Sequence, residues 1–140
     1  MNHHVPRLFV VMLMASLVVA CGQREGQEAT PRVVSSLAVL SVTPERDSVV
    51  RVGEEVAVRV EVQYTLGSAA GNVGLVVQTD DGQVLAEQIG PAVRGVHTMT
   101  LQAAFTVPES EMVHLVLPLS ERGRGTSSDV QIISYEVHPR

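Results

Sequence analysis

The sequence holds no lysine, no tryptophan and one cysteine, and only 3% of its 140 residues are aromatic. Each shortage excludes something. A lysine-free chain with a formal net charge of −5 lacks the basic footprint of a nucleic-acid binder. One cysteine cannot close an internal disulfide. In an exported chain an odd cysteine points to pairing between chains, a reactive thiol or covalent modification. Past the first thirty residues the aromatics are Tyr64, Phe105 and Tyr135. All three fall on the apolar parity of their segments, so they read as core and leave no exposed stacking platforms for a polysaccharide. No stretch has the 3.6-residue period of an amphipathic helix, and no repeat is evident. There is no Gly-x-Ser-x-Gly elbow, and no glycine-rich loop leads into a helix. No enzyme activity and no cofactor are therefore expected.

What is present begins with an address. Met1–Arg7 is a short polar start, and Leu8–Ala20 reads LFVVMLMASLVVA. That run has the length of a signal-peptide core and is too short to cross a bilayer of ~30 Å as a helix. It ends in Val18-Val19-Ala20-Cys21, followed by Gly22. This order of residues resembles the bacterial lipobox. The resemblance implies that the Cys21 thiol receives a diacylglycerol group, that the leader is cut before Cys21, and that the new amine is acylated, with palmitate-class chains. A lipid-anchored protein of the cell envelope is expected. Gly22 stands where such lipoproteins carry Asp for inner-membrane retention, so the outer membrane, facing the periplasm, is favoured. The alternatives are an ordinary secretory signal, or an uncleaved anchor, with an incidental cysteine.

The expected organisation is a signal-peptide helix at 1–20, a lipidated cysteine and flexible tether at 21–35, and one domain at 36–140. The tether, GQREGQEATPRVVS, is polar and aperiodic. From Leu37 onward the period becomes two. Val56, Val58, Val60, Val62, Tyr64 and Leu66 share one face, and Ala57, Arg59, Glu61, Gln63 and Thr65 share the other, as in a half-buried strand. Further strands are expected at Leu37–Thr43, Ser48–Val52, Val73–Thr79, Gln83–Gln88, His97–Val107, Met112–Leu119 and Val130–His138. Asp80-Asp81-Gly82 joins two of them as a hairpin turn; it lacks the dense oxygen ligands of a Ca²⁺ loop. The pattern predicts an all-β fold, a single antiparallel β-sandwich of about seven main strands. With its phrase VRVGEEVAVRVEVQYTL, it resembles the immunoglobulin-like or fibronectin-III-like modules of bacterial surface and periplasmic proteins.

That topology collects loops of opposite charge at opposite ends. Gly67–Asn72, Ile89–Val96 and Ser120–Asp129 form one end, with Arg94, Arg122 and Arg124 as candidates to face a membrane or a partner. The other end gathers Glu45, Asp47, Glu54, Glu55, Asp80, Asp81, Glu109 and Glu111. His97 is expected on an inward face. His114 and His138 are expected outward and opposite each other, with Glu136 beside them. Two histidines and a carboxylate can hold Zn²⁺, but no metal site is expected, because surface histidines are commonly only surface. The function expected is a membrane-anchored, non-enzymatic interaction or structural module with an envelope protein partner. The alternative is a small-ligand or metal-binding lipoprotein, using the Ser120–Asp129 loop or the outer face of the last two strands.

Overall fold

The computed structural model describes residues 31–140; the leader, Cys21 and the first part of the expected tether lie outside the described residues. Six strands form in chain order: β1 (Ser36–Thr43), β2 (Val49–Arg51), β3 (Glu55–Thr79), β4 (Val84–Thr106), β5 (Met112–Glu121) and β6 (Ser127–His138). No helix occurs among the described residues.

The fold is built around one long ribbon. β3 and β4 pair antiparallel from Glu55 opposite Thr106 to Gln78 opposite Val84, with one interruption. Asp80–Gln83 turns the chain between them, with Gly82 at φ 86° and its N–H donating to the Thr79 carbonyl at 3.0 Å. A positive φ favours glycine, so the Asp-Gly step makes the expected hairpin. The ladder opens between Leu66 and Ala70, and there the ribbon bends. Before the bend β3 pairs β1; after it β3 pairs β5, which pairs β6, and the end of β6 takes β2 in parallel. One sheet thus curls into two facing layers.

Gly67–Asn72 and Ile89–Val96, expected as loops, are instead the bent middles of continuous strands. The small residues of GSAAG permit this. A Cβ on Gly71 would overlap the Ser120 carbonyl oxygen, so glycine lets β5 approach the corner. The expected strand segments therefore merge into six elements. The first of the joining loops shrinks to a bend, and the last shortens because β6 starts at Ser127.

Burial follows the predicted parity. Val56, Val58, Val60, Val62, Tyr64 and Leu66 are all buried, as are Val73, Leu75 and Val77 beyond the bend. They meet Leu101, Phe105, Leu115, Leu117, Ile133 and Tyr135 in one apolar core. His97 departs from expectation. It shares the ribbon face of Tyr64, with ring centroids 5.6 Å apart, but it is exposed because it sits where that face runs out at the corner.

Tyr135 is fully buried, and its hydroxyl donates to the Pro44 carbonyl at 2.6 Å. Burial pushes its pKa up to about 12. The unfolded phenol ionises near its ordinary pKa of about 10, whereas the folded one resists, so stability is intact below pH ~10 and falls as pH rises toward 12. The expected loss across that window is on the order of 2–3 kcal/mol. Urea titrations at stepped pH check this: Tyr135→Phe should flatten the alkaline slope, and an unchanged slope would show that the phenol is not its source.

Candidate functional site

Two ends of the sandwich differ in chemistry. At the first, the chain leads in alongside the corner. The Gly67 N–H donates to the Ser35 hydroxyl at 3.0 Å, and that hydroxyl donates to the Glu121 carboxylate. Arg124 closes on the same carboxylate at 3.0 Å. The Leu37 N–H donates to Asp129 at 2.7 Å. Arg32, Val33, Val34 and Ser35 line a shallow cleft with Glu121, Arg124 and Ser128. The Ser35 hydroxyl is the main reason that Glu121 stays below the ordinary carboxylate range; Arg124, Ser128 and Arg32 add to it, and burial opposes it. The stabilisation from Glu121 is present above its ordinary value and is lost as pH falls through the lowered one. Ser35 itself is buried, so the body starts before residue 36, and the last residues of the expected tether are docked.

The backbone of Arg94 and Arg122 lies beside the same bend as Arg124. The Arg122 N–H donates to the Ala70 carbonyl at 2.9 Å, and Arg94 lies between Val93 and Gly95, which pair with Ala70 and Leu66. The Val93 N–H donates to the buried Tyr64 hydroxyl at 3.2 Å, and the His97 Nε2–H donates to the Arg94 carbonyl at 2.9 Å. These bonds give the corner a defined shape. Arg32 joins the group although it was read as tether.

At the opposite end the Ser110 hydroxyl donates to Asp80, and Asp80, Asp81, Glu109 and Glu111 border one surface depression. The Thr79 hydroxyl, then the Gln83 N–H, keeps Asp81 below its ordinary value. Among the described residues no group of three His, Cys, Asp or Glu side chains is arranged to hold a metal ion.

The His114, Glu136 and His138 set does not assemble. The β5–β6 register puts His114 opposite Ser134, to which its Nδ1 lies at 2.7 Å, and Met112 opposite Glu136. His138 lies past the paired part of β5, next to Arg51 of β2, and contacts Glu136 at 3.0 Å. The short β5–β6 turn sets that register, and a register error displaces every cross-strand neighbour.

One surface feature was not foreseen. On the outer face, Val76 of β3 stands opposite Val116 of β5, and Val116 opposite Ile132 of β6; Pro118 opposite Val130 lies alongside. Ile132 and Val130 are exposed. Alternation in β5 and β6 held the signal, since both faces of β5 are apolar.

Comparison by sequence finds no matching protein family and no matching curated protein. By structure, the chain resembles the CARDB domain of a Pyrococcus furiosus protein, solved in complex with di-metal ions, at 14% identity and a TM-score of 0.51, over 75% of this chain and 90% of that one. A glycosyl hydrolase family 2 member from Bacteroides cellulosilyticus aligns at 8% identity and TM-score 0.49, over 73% of this chain. A putative beta-galactosidase from Bacteroides fragilis aligns at 14% identity and TM-score 0.49, over 72% of this chain. This chain spans only 14% and 15% of those two proteins. The first likeness shows the fold class, an immunoglobulin-like β-sandwich, and the fold alone.

Proposed function

We propose that this protein is a lipid-anchored module of the bacterial cell envelope, held through acylated Cys21 and acting by contact rather than by catalysis. The observation that carries the reading is the path of the chain. The segment that follows Cys21 reaches the body at Pro31–Ser35, and that is the end where Arg32, Arg94, Arg122 and Arg124 collect. Anionic headgroups attract basic side chains by around 1 kcal/mol each near a membrane, less in salt. The acidic end then points away. The lipobox resemblance, with Gly22 after the cysteine, favours the outer membrane facing the periplasm. The partner is an envelope protein, and the apolar stripe over β3, β5 and β6, half-buried at Val76, Val116 and Pro118 and exposed at Val130 and Ile132, is in keeping with a protein that works by contact. The metal-binding alternative loses support, since its histidines are not brought together.

Photo-crosslinking in intact cells tests the contact role. A crosslinker at Ile132, on the stripe, should give an adduct of one discrete size that is absent from the same probe at Asp81. Equal, diffuse labelling from both positions would sink the interaction reading.

A further inference from the structure

Four valines are exposed among the arginines of the corner: Val33 at 58%, Val34 at 80%, Val93 at 54% and Val96 at 62%. Val33 and Val34 sit in the cleft with Arg32 and Arg124. The Val33 carbonyl is pressed against Gly67, at the start of the β3 bend. Val93 pairs with Ala70 and Val96 with Thr65, on the other side of the same bend, with Arg94 between them. The corner thus presents two apolar pairs, each adjoining arginines, around the residues that the Tyr64, Ser35 and Arg122 hydrogen bonds hold in place.

We propose that this corner is a bilayer-docking surface: Val33, Val34, Val93 and Val96 enter the headgroup–acyl boundary while Arg32, Arg94, Arg122 and Arg124 engage anionic phosphates. The proposal rests on the lipid anchor of the preceding subsection. Three observations choose a membrane as the occupant. The charge is complementary: the corner carries four arginines against two carboxylates, Glu121, which Ser35 and Arg124 already engage, and Asp129, which accepts the Leu37 N–H, so that even with Arg124 paired the balance stays positive. The chain outside the described residues ends here, and Cys21 is at most about 35 Å of extended chain from Pro31. A shorter path lets the corner rest on the surface that holds the acyl chains. Apolar side chains interleaved with arginines also match the mixed character of that boundary, where buried apolar area and attraction to anionic lipid act together.

The absence of tryptophan makes the test direct, since each introduced indole is the sole reporter. Lipidated mature protein carrying Val34→Trp, Val96→Trp or, as a control at the far end, Val84→Trp is reconstituted into vesicles of phosphatidylethanolamine with phosphatidylglycerol, with and without bromine on the acyl chains. All three positions are exposed, so the substitutions leave the core intact. The indoles of the Val34→Trp and Val96→Trp variants should shift to the blue and lose most of their emission to the bromines, while that of Val84→Trp keeps a water-like spectrum. Protein that floats with vesicles and carries acyl mass, yet gives water-like spectra from both corner variants, overturns the docking surface and leaves the anchor standing. Blue shifts seen only in native membranes, not in pure lipid, overturn it in favour of a protein partner. Protein that neither floats nor carries acyl mass overturns the anchor and this inference with it.

Discussion

A Cys21→Ala chain is expected to lose its acyl groups and keep its leader at once. The lipobox resemblance orders the steps: the thiol is modified first, and the cut before residue 21 follows. Removing the thiol therefore stops both, and the variant should run above wild type by the 20 residues of the leader. The size of the effect follows from the energetics of anchoring. Each buried methylene contributes about 0.8 kcal/mol, yet a single chain binds only marginally, with K about 10⁴ M⁻¹. Two or more chains make anchoring firm, and no arginine patch replaces them at roughly 1 kcal/mol per charge. Metabolic labelling with an alkyne fatty acid and gel migration read both consequences. Full labelling loss with retention of the leader is the expected result; a Cys21→Ala chain trimmed to wild-type size would show that cleavage does not depend on this cysteine.

Gly71→Ala is expected to be the most damaging single-methyl change in the body. Gly71 is buried in the second half of β3, paired on one side with Ala92 and on the other with Glu121. Its missing Cβ is the space into which the Ser120 carbonyl fits, and Leu66 Cδ2 closes the same space at 3.3 Å. Backbone cannot step aside as a side-chain tip does, so β5 must move or the corner must open. Overpacking of this kind costs about 1–3 kcal/mol, and this site belongs at the upper end. Gly125→Ala is the matched comparison, because a Cβ there meets nothing within 4 Å. Urea unfolding followed by far-ultraviolet circular dichroism should show a lowered midpoint for Gly71→Ala and an almost unchanged one for Gly125→Ala. Equal midpoints would mean that β5 does not press on the corner as described.

These two sites differ in how far the chain announces them. The lipidation proposed for Cys21 rests on a local order of residues, an apolar run, a small residue and a cysteine, that can be read without a fold. Gly71 is not, since its neighbour Ser120 is distant in sequence and only the fold brings it near. The same division runs through the body. Val56–Leu66 could be read as a strand because alternation is local. The Asp80–Gln83 turn could be read because Gly82 carries a positive φ that few other residues accept. By contrast, GSAAGN has the composition of a loop, and pairing to β4 and β5 on either side, with the Gly67 and Ala70 hydrogen bonds, carries β3 through it. Tertiary pairing overrode local preference there. The arginine end was inferred from alternating connections, and two of the loops on which that inference stood are strand in the fold. The Ser35–Glu121 latch was not legible: it joins residues 86 apart. The His114–His138 pairing failed because register depends on turn length, which composition leaves open. Val33 and Val34 were absorbed into a segment read as polar tether, because their meaning needed the fold to bring the arginines beside them.

The proposed fatty modification on Cys21 would tie an all-strand body to a membrane. The most direct measurement is the mass of the N-terminal peptide from the mature protein, extracted in detergent from its native cell. The expected peptide begins at Cys21 and carries diacylglycerol on sulfur and a further acyl chain on nitrogen. A peptide that begins elsewhere, or one that carries a free Cys21 thiol, would contradict it.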